Sequence, residues 1–107
     1  MATIESNKKR TGLCNVTIEG EMTIYSAAEM RDELQKLLEK CNSLEFDLSG
    51  VSELDTSGFQ LLLQVKKQSN AAGKEVLMSS HSPAVLEVLE LYGMEEYFGD
   101  PLVLPAE

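Results

Sequence analysis

The sequence predicts a single α/β domain, a small mixed β-sheet with helices packed against it. Three observations carry that expectation. Apolar residues alternate at period two in short stretches, as at Leu44, Phe46 and Leu48, the mark of a half-buried strand. They recur at helical spacing elsewhere, as at Met30, Leu34, Leu37, Leu38 and Cys41. The two kinds of stretch take turns in the order β-β-α-β-α-β-α, with a last short strand. Such alternation argues for parallel pairing and right-handed crossovers.

Each element has its own grounds. Residues 1–11 are polar and read as a loose lead-in, with "NKKR" a solvated basic cluster. Leu13, Val16 and Ile18 lead to Gly20, and Met22 and Ile24 continue the alternation to Tyr25. That is two strands, or a strand and an extension, joined at "EGE". In "SAAEMRDELQKLLEKC", Ser26 followed by Glu29 has the spacing of a capping box. The stripe from Met30 to Cys41 is then a core face. "SLEFDLSGV" is a strand over 44–48 that reaches Gly50. "SGFQLLLQVKKQSNAAG" is a helix with Phe59, Leu62 and Leu63 on one face, widened by Leu61 and Val65, and Gly73 as its stop. "KEVLMSS" is a short strand. "HSPAVLEVLELYG" has Ser82 as N-cap, Pro83 at the first helical position and Gly93 past the end. Val85, Leu86 and Leu89 would face the sheet. "MEEYF" adds a turn with Tyr97 and Phe98 over the core, and "PLVLP" suits a short edge strand.

Composition narrows the functional classes. A chain of 107 residues argues for one domain, 1–107. Hydrophobic residues make up 43% and aromatics 6%, with no Trp, so an aliphatic core forms without a disulfide or metal. The net charge of −9 argues against nucleic acid and anionic membranes as partners. It favours a protein partner with a neutral or basic face, although solubility alone explains the charge equally well. Cys14 and Cys41 match no metal spacing, and Cys41 reads as a small buried hydrophobe. A reducing, cytoplasmic setting follows from two unpaired thiols. No apolar run is long enough for membrane insertion, and no signal-peptide core is visible.

Nothing in the chain points to catalysis. The single His81 sits at a helix start, and no Ser or Cys is spaced as a nucleophile pair. There is no metal-ligand set, no phosphate-cradling glycine loop and no call for a cofactor. Glu95 and Glu96 are ordinary surface acids.

The stretch "LDTSG" stands apart, because it opens a helix after a strand and a short loop. Asp55 suits the N-cap, where its carboxylate meets free amides and the positive end of the helix dipole. Thr56, Ser57 and Gly58 then form the first turn. Glycine there costs about 1 kcal/mol against alanine. One reading is a cap and nothing more. The other is that the missing side chain at Gly58 opens the Ser57 hydroxyl to modification, with a phosphate meeting first-turn amides.

The element order, "LEFDLSGVSELD", "DTSG" and the tail "HSPAVLEVLELYGMEEYF" together resemble a STAS domain, the family typified by bacterial anti-sigma factor antagonists. The resemblance runs from Gly12 to Phe98. It implies a bacterial partner-switching protein of signal transduction and transcription regulation. Its serine, here Ser57 with Thr56 as second choice, is phosphorylated by a serine kinase that is also the anti-sigma factor. The implied contact surface comprises Asp55, Thr56, Ser57, Gly58, Thr23 and Tyr25, with Met22 either joining it or lying in the core. Many antagonists carry an acid in a "G-E-L-D" stretch where this chain has "GEMT", with Thr23 in the acid's place. That departure suggests a divergent branch, such as a STAS adaptor of a chemosensory or two-component cluster. A second relative is the STAS subunit of phospholipid-transport ABC complexes, which binds an ATPase and often has alanine at the serine position.

Overall fold

The computed structural model describes residues 2–98. Four strands form one sheet in the order β1-β2-β3-β4: β1 Ala2–Lys8, β2 Leu13–Met22, β3 Ser43–Leu54 and β4 Glu75–His81. Strand β1 is antiparallel to β2, while β2–β3 and β3–β4 are parallel. The parallel crossovers are made by α1 Ala27–Lys40 and α2 Thr56–Ala71. Helix α3 Pro83–Leu91 and the short α4 Glu95–Phe98 follow β4. The mixed α/β architecture is the expected one. The "PLVLP" strand lies outside the described residues, as does the side chain of Tyr97.

Alternation along the strands separates two faces. Cys14, Val16 and Ile18 of β2, Leu44, Phe46 and Leu48 of β3, and Val76 and Met78 of β4 are buried under the helices. Their neighbours Asn15, Thr17, Glu45 and Asp47 lie on the opposite, half-exposed face. There the Ser49 hydroxyl and amide donate to Asp47 and hold its carboxyl below the usual carboxylate range. The helices complete the core with Met30, Leu34, Leu37 and Leu38 of α1, Phe59, Leu61, Leu62 and Val65 of α2, and Val85 and Leu89 of α3. Phe98 is fully buried, its ring 5.8 Å from that of Phe59. Leu86 is 48% exposed, contrary to expectation. Val85 and Leu89, one turn apart, define the buried stripe, and Leu86 turns off it.

Four other expectations need correction. Residues 2–8 are not loose, because β1 pairs with β2 in a register that sets Ile4 opposite Ile18 and Lys8 opposite Cys14. Ala2 and Ile4 pack on the core, and polar residues elsewhere reflect an edge strand with little to bury. The connecting turn depends on Gly12, at φ 91°, where a Cβ would lie 2.2 Å from the Asn42 side chain. Residues 13–22 form one strand whose parallel register shifts at Thr17/Glu19 and Gly20/Glu21, so "EGE" is an irregularity and not a joint. Strand β3 does not stop near Gly50 but runs to Leu54, which pairs with Met22. Ser26 is the N-cap of α1 but makes no capping bond through its side chain. Its hydroxyl serves the preceding loop instead, donating to the Glu21 carbonyl and accepting from the Thr23 amide.

The cysteines are the largest correction. Cys14 and Cys41 form a disulfide across a sequence separation of 27. Helix α1 ends at Lys40, and the Asn42 amide donates to the Gly12 carbonyl, which brings Cys41 beside the start of β2. The argument for a reducing setting therefore loses its ground. None of the described helices is long and apolar enough to cross a membrane.

A cross-link closing a loop of this size contributes about 3–4 kcal/mol on the chain-entropy account. The Cys14→Ala/Cys41→Ala variant is expected to lose that much stability, read from its urea midpoint. Thiol titration of the unfolded, unreduced wild type should find no free cysteine.

Candidate functional site

The parallel strands β2 and β3 end side by side at Met22 and Leu54, and the DTSG motif follows at once. It springs directly from a strand, with no intervening loop. Asp55 is extended at φ −102°, ψ −174°, as an N-cap should be. Its Oδ1 accepts from the Gly58 amide at 3.0 Å. Its Oδ2 accepts from the Ile24 amide at 2.9 Å, and its own amide donates to the Met22 carbonyl. One carboxylate thus caps α2 and ties down the loop that leaves β2. The capping role is legible in the sequence, whereas the bond to Ile24 joins residues 31 apart and has no local signal.

That loop is internally bonded as well. The Ser26 and Ala27 amides donate to the Thr23 carbonyl, and the Tyr25 amide donates to the Thr23 hydroxyl. Thr23 is buried, so the position of the expected acid is filled by a neutral side chain engaged with its own loop. The turn leaves Ile24 66% and Tyr25 92% exposed. Met22 is wholly buried and belongs to the core.

Gly58 has a different reason from the one its sequence context suggests. It is buried, and a Cβ there would lie 2.2 Å from the Met22 carbonyl oxygen and 2.8 Å from a Leu54 methyl. Glycine lets the first turn of α2 sit against the end of β2. It does not serve to uncover Ser57. Ser57 is half-buried, and no hydrogen bond engages its hydroxyl among the described residues. Thr56 is exposed, with its hydroxyl 3.5 Å from that of Tyr92 in the segment after α3. The Tyr92 ring stacks on Phe59 with centroids 4.7 Å apart. Ser57 opens on a groove of about 290 Å³ between α1 and α2, which Ile24 and Arg31 also line. Sequence reading missed Arg31 and Tyr92, since their place depends on how the helices pack.

The site is thus a half-open serine just past the carboxyl ends of parallel strands, in a groove lined by the exposed Ile24. Those features sit on a small mixed α/β domain with a four-stranded sheet. The sequence matches the family described as Mlab, STAS domain over residues 7–104, and the chain belongs to it. The anti-sigma-B factor antagonist of Bacillus subtilis (strain 168) is 26% identical over 81 residues, covering 76% of this chain and 74% of that protein. The unphosphorylated form of the anti-sigma factor antagonist SpoIIAA superposes with a TM-score of 0.75 at 15% identity, over 92% of this chain and 86% of that one. An anti-sigma factor antagonist from Mycobacterium paratuberculosis gives 0.77 at 20%, over 94% and 86%. These solved structures share the fold.

The geometry separates two effects. Asp55→Ala should cost about 1–2 kcal/mol through the lost cap and speed hydrogen exchange at both the Gly58 and Ile24 amides. Gly58→Ala should cost about 1–3 kcal/mol, since its new methyl meets backbone that cannot swing aside. A Gly58→Ala variant as stable as wild type in urea would contradict the close packing described.

Proposed function

We propose that this chain is a protein-interaction switch of the anti-sigma factor antagonist type, controlled by phosphorylation of Ser57 by a partner serine kinase. The observation that carries the reading is the unbonded, half-open Ser57 hydroxyl in a groove it shares with exposed Ile24. The fold does not spend that hydroxyl on its own stability, because Asp55 does the capping. A phosphate adds about −1.5 to −2 charge and displaces water-free contact at the same spot. The partner is released without any need for the domain to change shape. Thr56 is the weaker acceptor, its hydroxyl lying near that of Tyr92. The kinase would supply the catalytic groups, and this chain needs none. Its net charge of −9 suits a partner face that is neutral or basic.

A second reading has its own support. The matching family description names Mlab, which favours the STAS subunit of a phospholipid-transport ABC complex. Such a subunit would bind its ATPase through the same surface whether or not Ser57 carries phosphate. A STAS adaptor in a chemosensory or two-component cluster would differ from the antagonist in its kinase, not in its surface.

Phosphorylation by a cognate kinase separates these. Phosphate uptake should fall at least about tenfold in Ser57→Ala and persist in Thr56→Ala. Equal uptake by wild type and Ser57→Ala sinks the acceptor assignment. In a pull-down, Ser57→Asp should weaken kinase binding. Binding of an ATPase that ignores both Ser57→Asp and Ser57→Ala favours the transporter reading.

A further inference from the structure

We propose that the groove between α1 and α2 is the seat of the Ser57 phosphate, with Arg31 as its counter-charge within the same chain. The proposal rests on the reading of Ser57 as a phosphate acceptor and adds what receives the group. The groove runs between the N-terminal parts of both helices. On α1, Ala27 and Ala28 contribute only methyls, which leaves the space open, and Arg31 stands one turn further along. On α2, Ser57 is followed along the same wall by Gln60 and Gln64. Volume is ample: about 10–15 Å³ in this measure admits a water, against about 290 Å³ here.

The chemistry of the lining is selective. None of its residues is acidic, in a chain whose net charge is −9. Helix α2 carries no acid, and both oxygens of its N-cap Asp55 are engaged by the Gly58 and Ile24 amides. Arg31 is one of two arginines in the sequence, the other being Arg10. Among the described residues it makes no ion pair, although Asp32 follows it. A guanidinium presents a planar fork that matches phosphate oxygens, and the Gln60 and Gln64 amides are further donors. With the phosphate seated, the groove is occupied beside Ser57 and its one cation neutralised. A partner that enters this groove then loses the cavity and the charge together.

The test installs phosphoserine at position 57 of the full chain during translation, so that no kinase is needed. The second ionisation of the phosphate is followed by phosphorus NMR against pH in wild type and in Arg31→Ala and Arg31→Lys. Its ordinary value is about 6. An adjacent cation favours the dianion, so the wild-type midpoint should lie lower than that of Arg31→Ala by about half a pH unit, or roughly threefold in proton affinity. Arg31→Lys should recover part of the shift, and high salt should shrink it. Arg31 is exposed, so all three chains should melt alike. Equal midpoints in wild type and Arg31→Ala would overturn the seat. Because the phosphate is placed chemically, that result leaves the acceptor assignment to the kinase assay, and failure there leaves this one standing.

Discussion

The Asp55 carboxylate holds the functional end of this molecule together. Its two oxygens meet two amides, Gly58 at the head of α2 and Ile24 in the loop after β2. Each bond alone is ordinary. Sharing one side chain makes them interdependent, because the helix start and the loop cannot separate without losing a charge-assisted hydrogen bond. Gly58 makes the arrangement possible. Only a residue without Cβ lets the helix approach the Met22 carbonyl closely enough for Asp55 to span both elements. Ile24 and Ser57 are therefore presented in one groove.

The position of that surface follows from the sheet. Parallel pairing of β2 with β3 brings Met22 and Leu54 together at the carboxyl ends of the strands, where α/β folds place their binding sites. The disulfide sits at the opposite end, joining Cys14 at the start of β2 to Cys41 just after α1. It restrains the α1 crossover far from Ser57. The disulfide and the DTSG junction thus occupy opposite ends of the same strands.

What the sequence disclosed and what it hid divide along physical lines. Helices α1 and α3 were legible because their signals are local: apolar residues at helical spacing and Ser82-Pro83 at a helix start. Asp55 as an N-cap was legible for the same reason. Strand β1 was hidden because an edge strand buries only Ala2 and Ile4, too few to show a pattern. The disulfide and the Asp55–Ile24 bond were hidden because they join residues distant in sequence. The need for glycine at position 58 has no local signal, since the Met22 carbonyl that demands it lies on another element. The Ser26-Glu29 spacing promised a capping box, yet the loop claimed the Ser26 hydroxyl first.

The division of labour between Asp55 and Ser57 bears on how such a site can switch. Had a serine been the N-cap, adding phosphate to it would remove the hydroxyl that holds the helix start. Modification would then loosen the fold as well as alter the surface. Here the capping oxygens belong to Asp55, and the Ser57 hydroxyl takes no part in the junction's hydrogen bonds. Charge added at Ser57 would act on what lies outside the junction: the α1 wall of the groove with Arg31, and the surface around exposed Ile24. Phosphate placed at such a site would act through electrostatics and access, with no change of conformation required.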